Sequence, residues 1–488
     1  MKTIVSLLVL FISVFASGQI DTLRKDSVAA VTGIHDSVGD LRPRGRHGNL
    51  LTDDPLYNPR YSVSSALLRV TLANAYNWAI SRYLFKYEWA EISPATWKYN
   101  LKHGWEWDAD RFGINFIGHP HTGSTYFNVA RSKGYSYWGS LPFVVAGSFQ
   151  WEWFGENTRP SKNDLINTSL SGAFLGEVMY RISSKILDDR TRGAERVWRE
   201  FFAGIINPTR ALNRFTQKKM FRRTPYEVYQ KEPLNITVSA GVHKQNVNNE
   251  FGTGATNAIL NLQLDYGDPF EKRVRKPFDV FRLRLEGRYG DDKKIIDNVL
   301  GYGLLFGRNM GSENRQMLGG IFQQFDYWNN KAFEIGSLGF GPGIITSLKL
   351  GGNSNLFSGL HFALVPVAGY STRVGPDISE FRDYPFGGGW EGRIEERLNL
   401  GGRISLGFNG YYYWIFNYEG SKGKSRIGII KPFVTIRLIK NLSIGFEHHV
   451  YWDNHFIDEV PTLHLTRTEQ KLFLQLFFED ERRGGKYH

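Results

Sequence analysis

The sequence predicts an α+β fold: a small N-terminal helical domain followed by an antiparallel transmembrane β-barrel of about 12 strands. Three observations predict it. The chain opens with an apolar export segment, apolar residues then recur at intervals of three and four, and from Leu234 onward they alternate with polar residues. The composition agrees, because 15% of the residues are aromatic and 52 of the 488 are glycine, a profile typical of β-rich chains.

Residues 1–18 have the layout of a signal peptide. Lys2 precedes a mainly apolar run from Ile4 to Phe15, and the small residues that follow predict cleavage before Gln19. The run is too short for a comfortable membrane-spanning helix. The chain contains no cysteine, which excludes disulfides, thiolate zinc sites, cysteine nucleophiles and a lipid-modified N-terminal cysteine. We therefore expect an exported protein.

Residues 19–60 are predicted to be a flexible lead-in, because they are polar and contain three prolines. Residues 61–232 are predicted to form the helical domain, in which apolar stripes end at prolines and glycines. No segment there has the apolar length that spans a bilayer. The expected helices cover residues 62–92, 120–133, 142–153, 165–186 and 195–206.

Residues 233–478 are predicted to form an outer-membrane barrel, and residues 479–488 a polar tail. The strands are about ten residues or longer, which suits a tilted membrane crossing. We expect the apolar set, which includes Leu283, to face lipid. We expect the charged set to line the lumen, and in two strands it comprises Arg282, Arg284, Glu286, Arg288, Glu391, Arg393, Glu395 and Arg397.

The connections between these strands predict sidedness. Residues 398–402 and 439–441 form tight turns, whereas residues 371–385 and 453–461 form longer loops. Short turns belong on the periplasmic side of such barrels. An outer-membrane location follows, surrounded by lipid, with the helical domain on the periplasmic side or inside the lumen.

Ahead of the barrel lies a dense pattern of Gly, Trp, His and acidic residues. It includes His103-Gly-Trp-Glu-Trp-Asp, Gly118-His119-Pro120-His121-Thr-Gly-Ser-Thr, Trp151-Glu152-Trp153-Phe154-Gly155-Glu156, Asn163-Asp164, Gly172, Gly176-Glu177 and Arg181. Over about residues 105–215 this pattern resembles the uncharacterised domain-of-unknown-function family number 3943 of Gram-negative envelope proteins. The resemblance implies association with the outer membrane and carries no known activity.

The same pattern supplies candidate site residues. Glu152 and Glu156 share a helix face, and Gly172 and Gly176 permit close approach of a second helix. Because helices joined by short links pack antiparallel, the polar groups can meet. The candidates for acid/base catalysis are His119, His121, Glu152, Glu156, Asp164 and Glu177.

Two interpretations of these candidates stay open. In one, the acids pair with Arg131 and Arg181 and stabilise the helical domain; in the other, they catalyse hydrolysis or bind a divalent metal. We prefer the first, because the arginines belong to the pattern itself. We therefore expect neither a cofactor nor a metal. The sequence contains no His-Glu-x-x-His, Gly-x-Ser-x-Gly or phosphate-loop motif.

A basic stretch links the helical domain to the barrel. Residues 190–223 are rich in arginine within a chain of net charge +12. One hypothesis is contact with anionic lipid headgroups, and the alternative is a solvated helix face. We do not expect nucleic-acid binding from an exported chain. The residues proposed for headgroup contact are Arg192, Arg199, Arg222 and Arg223.

Two functional classes remain. The first is a non-enzymatic outer-membrane barrel that acts as a channel, transporter or envelope scaffold with a helical accessory domain. The second is an envelope hydrolase that acts on lipid or peptidoglycan through the His/Glu/Asp cluster. We prefer the first, because charged lumen rows are its direct support. Convergence of the acids and His119 in an open cleft would instead favour the enzyme.

Overall fold

The computed structural model describes residues 44–45, 48–290, 295–330, 332, 334–371, 384–420, 422–458 and 461–480. The predicted signal peptide, most of the predicted lead-in and most of the predicted tail lie outside these ranges. The helices are α1 Val63–Ala79, α2 Pro94–His103, α3 His119–Arg131, α4 Tyr137–Phe154, α5 Lys162–Ile166, α6 Gly172–Ile186, α7 Gly193–Ile206 and α8 Pro208–Thr216. Within the described residues, no helix is both long and apolar enough to cross a membrane.

The helices differ from the predicted ones in informative places. Helix α4 begins at Tyr137 rather than at Pro142, because the Ser136 hydroxyl accepts a hydrogen bond from the Gly139 amide and caps the first turn. Helix α2 was not predicted, although Ser93 and Thr96 cap it reciprocally. Wide turns with i to i+5 hydrogen bonding occupy residues 80–84, 114–118 and 167–171.

The second half of the chain is a closed antiparallel barrel. Each strand pairs with its neighbour in sequence, and β12 pairs with β1. This confirms the predicted α+β fold with a barrel of about 12 strands. The strands are β1 Leu234–Gln245, β2 Thr256–Tyr266, β3 Phe281–Tyr289, β4 Ile296–Gly311, β5 Arg315–Asn329, β6 Glu334–Gly351, β7 Ser354–Ser371, β8 Phe386–Leu400, β9 Ile404–Glu419, β10 Gly423–Ile439, β11 Leu442–Ile457 and β12 Leu463–Phe478.

The two rims of the barrel differ in loop length. One rim, the short-turn rim, holds both barrel termini and the turns at residues 312–314, 352–353, 401–403 and 440–441. The other, the long-loop rim, holds the connections at residues 246–255, 290–295 and 372–385 among others. The connection at residues 267–280 is the exception, because it is long and lies on the short-turn rim.

Charged side chains meet across the inside of the barrel. Arg282 on β3 donates to Glu395 on β8, and Lys471 on β12 donates to Glu286 on β3. These strands are not neighbours, so the bonds cross the lumen. The other predicted lumen residues also find partners: Arg284 contacts Gln263, Arg288 contacts Asp297, Glu391 accepts from Ser337, Arg393 donates to Asp326, and Arg397 lies over Phe433.

Half of the lumen is filled by a core of aromatic and aliphatic side chains. This lumen plug lies towards the long-loop rim, and Trp328 donates from Nε1 to the Tyr413 hydroxyl over 3.1 Å within it. Towards the short-turn rim a polar cavity of about 390 Å³ remains. The lumen plug comprises Leu300, Trp328, Ala332, Ile335, Val365, Ala368, Tyr370, Tyr411, Tyr413, Ile415, Ile427, Ile429 and Tyr451.

The outward face of the wall is covered in part by the helical domain. Leu283 faces outward, as expected from its alternation with Arg282, yet it is only 6% exposed. It belongs to a core cluster that joins helices α3, α4 and α6 to strands β2–β8. Strands β9–β12 instead expose apolar residues such as Leu474, which is 51% exposed.

The sequence-based expectation that Leu283 faces lipid is therefore wrong, because Leu283 packs in a core that it shares with the helical domain. Within the described residues, polar pairs and the lumen plug line the inside of the barrel. The alternation of residues identifies the outward face of a strand, but it does not identify what covers that face. Whether lipid or protein covers that face depends on tertiary packing, which the alternation of apolar and polar residues does not determine.

Glycines let the helical domain approach the wall. A Cβ added at Gly301 would lie 2.6 Å from the ring of Phe174 on α6, and Phe116 fills the space over Gly336 and Gly369 in the same way. We call Gly301, Gly336 and Gly369 the glycine strip. Among the helices, α3 crosses α6 closely, because a Cβ at Gly172 would lie 2.5 Å from the Cα of Gly123.

Replacing Gly301 by leucine should loosen the helical domain from the wall. The new side chain would overlap the Phe174 ring, and overpacking of this kind typically costs about 1–3 kcal/mol. Limited proteolysis of the vesicle-inserted protein should then cleave the helical domain faster while the barrel stays folded. Gly392→Leu is the matched control, because Gly392 has only a carbonyl oxygen at 4.0 Å beside it. Equal cleavage of both variants would contradict the packing.

Candidate functional site

The predicted site residues separate into two buried clusters. His119, Glu152, Glu156 and Asp164 come together near the long-loop rim. Glu177 lies in a different cluster with both predicted arginines. His121 is exposed and joins neither. We call the first group, together with Asp108 and Asp110, the acid–histidine cluster.

Local backbone structure positions the acid–histidine cluster. The link at residues 105–110 runs beside the start of α5, since the Glu106 amide donates to Pro160 and the Lys162 amide donates to Glu106. Ser161 caps α5 by accepting from the Asp164 amide over 3.2 Å. This arrangement sets Asp108 and Asp164 side by side.

Two of the three wide helical turns flank the cluster. Residues 114–118 lead directly into His119, and residues 167–171 follow Asp164 by one turn. Wide turns of this type interrupt regular helices frequently at functional sites. At the rim itself, Asn115 donates to the hydroxyl of Tyr384 over 2.8 Å, so the cluster is fixed beside the loop that precedes β8.

His119 is the centre of the cluster. Its Nε2 lies 3.4 Å from Asp164 Oδ1 and 3.7 Å from Asp110 Oδ2, and its Nδ1 lies 3.4 Å from the Thr168 hydroxyl. Ligand-type atoms of Asp108, His119 and Asp164 all lie within 4.8 Å of one another. Asp108 lies within one of the sequence motifs but was not among the predicted site residues.

The cluster has an excess of negative charge. Among the described residues, no lysine or arginine lies within ion-pair distance of its carboxylates. Burial lowers the pKa of His119, but Asp110 and then Glu152 and Glu156 outweigh burial and raise it to about 9. Burial raises the pKa of Glu152 well above its usual range, and Asp164 adds to that rise.

The second cluster joins Glu177 to both predicted arginines. Arg131 donates to both Glu177 oxygens, at 2.7 and 3.1 Å, and Arg181 donates to one of them at 2.7 Å. Arg181 also donates to Asp279 at 3.1 Å, in the long connection of the short-turn rim. This arginine–glutamate cluster therefore ties α6 to the barrel. Glu177 is fully buried, and the cluster leaves no open acid for chemistry.

The basic stretch has two kinds of arginine. Arg222 points into the domain and pairs with the buried Asp189 at 2.6 Å, whereas Arg199 is partly exposed and pairs with the exposed Glu195 at 2.8 Å. Arg192 and Arg223 are exposed. Helix α7 exposes an apolar face beside them, made of Val197, Trp198, Phe201, Phe202 and Ile205.

Arg181→Ala should destabilise the helical domain by about 3–5 kcal/mol, because it removes one partner of a buried ion pair. The measurement is the free energy of unfolding in detergent, followed by tryptophan fluorescence. Arg82→Ala is the control, since Arg82 pairs with Glu91 at an exposed position where a salt bridge contributes less than about 1 kcal/mol. Equal losses in the two variants would contradict a structural role for Arg181.

The chain aligns in part with several solved outer-membrane proteins. The NanC porin aligns with a TM-score of 0.27 and 9% identity over 50% of this chain and 98% of its own. An outer membrane channel from Pseudomonas putida F1 gives 0.28 and 10% over 51% and 96%, and outer membrane phospholipase A from Escherichia coli gives 0.26 and 12% over 51% and 93%. The closed sheet and its apolar outer band identify the chain as an outer-membrane β-barrel protein.

Sequence comparison adds one family. No curated protein matches the chain. The model of a domain of unknown function, DUF3943, matches residues 104–209, which span α3 to α7 and both clusters. The predicted resemblance is confirmed, because the model of this family matches residues 104–209 of this outer-membrane protein.

Proposed function

We propose that this protein is an envelope scaffold, in which a sealed barrel holds the helical domain against its outer wall in the plane of the membrane. The observation that carries the proposal is the shared core of the outward face of β2–β8 and the helices. A channel needs an open path through the inside of the barrel. Here the contact between the helices and the strands lies on the outer face of the barrel.

The interior of the barrel supports a sealed lumen. Cross-lumen bonds such as Arg282 to Glu395 draw opposite walls together, and the lumen plug fills the half near the long-loop rim. Within the lumen plug, Tyr413 also donates to Asp326 over 2.6 Å. Within the described residues, apolar side chains that pack together in this way would close the aqueous path. In this proposal the cavity at the short-turn rim is a vestibule that opens to one side.

The surface of the helical domain supports placement in the membrane plane. Two clusters of its polar side chains are largely buried, whereas α1 exposes Leu68, Leu72 and Tyr76 at 57–68%. Helix α7 adds its own apolar face with Trp198 at its centre. In water such faces would favour association, but lipid beside the barrel would cover them.

An envelope hydrolase remains the second candidate, favoured by the convergence of His119 with several acids. It has less support, because Glu152 and Asp164 are only 2% and 4% exposed. A substrate would reach these carboxylates only after the cluster opened. An open cleft was expected to favour the enzyme, and paired side chains were expected to favour the scaffold. The structure matches neither completely: Glu177 is paired with arginines, whereas Glu152, Glu156 and Asp164 converge where access is restricted.

A sealed lumen predicts an absence of discrete conductance. In planar bilayers the wild-type protein should give no current steps, because the lumen plug blocks the path. The double variant Trp328→Ala, Tyr413→Ala should give steps, since it removes the two largest hydrogen-bonded members of the lumen plug. Reproducible steps from the wild-type protein would contradict the proposal and restore the channel.

Placement in the membrane plane can be tested with single cysteines, because the natural chain has none. Leu68→Cys on α1 should resist a water-soluble maleimide in vesicles as strongly as Leu474→Cys on the bare wall. Asn441→Cys, in a turn of the short-turn rim, should react quickly. Rapid labelling at position 68 together with protection at position 474 would place the domain in water.

A further inference from the structure

The acid–histidine cluster has the composition and spacing of a metal site. Asp108, His119 and Asp164 come from three separate elements, and each offers one ligand-type atom within 4.8 Å of the other two. One imidazole and two carboxylates are a donor set that borderline divalent cations accept. We propose that Asp108, His119 and Asp164 bind a divalent cation, with Zn²⁺ the expected ion.

The orientation of the side chains supports this assignment. Asp108 Oδ1 accepts hydrogen bonds from the amides of Asn115 and Asn163, both at 3.0 Å. Its Oδ2 is buried and makes no hydrogen bond. Metal ligands are commonly held in this way, with one atom fixed by neighbouring donors and the other free to coordinate.

His119 is held in a matching manner. Its Nδ1 lies near the Thr168 hydroxyl, and its buried Nε2, which faces the acids, makes no hydrogen bond. The 3.4 Å from Nε2 to Asp164 Oδ1 is close to the separation of about 3.4 Å expected for two donors on one tetrahedral zinc ion. Asp108 and His119 thus each keep one atom without a hydrogen bond, Oδ2 and Nε2, within the three-residue group of candidate ligands.

Charge balance provides an independent argument. Glu152 and Asp164 are buried, and Asp108 and Glu156 are partly buried, without a lysine or arginine within ion-pair distance among the described residues. Buried carboxylates without a counter-charge are strongly unfavourable. The arginines that sequence analysis assigned to this task are bound to Glu177 and Asp279 instead. A divalent cation would supply the missing positive charge.

The proposed site has three protein ligands, so further coordination positions would be open to water or to an anionic group. Sites of that kind are typical of zinc ions that act on bound molecules, whereas purely structural zinc ions usually have four protein ligands. Glu152 and Glu156 lie near enough to act on the charge of His119. The proposal does not depend on whether the lumen conducts.

The test uses the full-length protein, purified in detergent without a histidine tag, stripped with chelator and titrated with Zn²⁺. We expect about one equivalent of tightly bound zinc by elemental analysis after desalting. His119→Ala should lower the affinity at least tenfold. His121→Ala is the matched control, because His121 lies two residues away on the same helix but is exposed, and it should bind as the wild type does.

Asp108→Asn provides a second variant that keeps the shape of the side chain and is expected to reduce zinc binding. Wild-type gel mobility and tryptophan fluorescence identify the variants that remain folded. Zinc that dissociates on desalting, or an equal loss from His119→Ala and His121→Ala, would overturn the proposal and leave protonated His119 as the counter-charge. The conductance result would be unaffected, so failure of the metal site is distinguishable from failure of the scaffold.

Discussion

The contact between an apolar helical domain and a glycine-lined wall determines the rest of this structure. Strands that carry Gly301, Gly336 and Gly369 on their outward face present grooves instead of side chains, and Phe116 and Phe174 fill them. This contact buries Leu283 and its neighbours under protein, so that part of the barrel needs no lipid. On the other side of this contact, several charged side chains are buried inside the helical domain.

The two clusters of buried charged residues differ in how their negative charges are balanced. Around Glu177, two arginines and a barrel loop provide the positive charge, and the result is a fixed connection between domain and wall. Around His119, the acids outnumber the bases and the side chains keep free coordinating atoms. The first cluster resembles the interior of a structural domain. The second keeps unpartnered atoms in a largely buried place with a half-exposed edge at Asp110, and the proposed metal site rests on those atoms.

The sequence predicted the barrel well, because a period of two, repeated over many strands, is set by backbone geometry alone. It also indicated that Glu152, Asp164 and His119 could meet. It could not predict that Glu177 would lie apart, since helix periodicity gives the face of a residue but not its height along the bundle. It missed Asp108 because an extended link has no periodicity, and it could not reveal that Leu283 is covered by protein.

The connections of α6 have a consequence for the order of folding. Arg181 reaches the connection between β2 and β3, and a few residues later Lys185 donates to Asp480, just beyond β12. The same helix thus holds the beginning and the end of the barrel. Both contacts of α6 are present together only when the two ends of the barrel lie beside this helix. We therefore expect α6 to complete its contacts no earlier than β12 reaches β1.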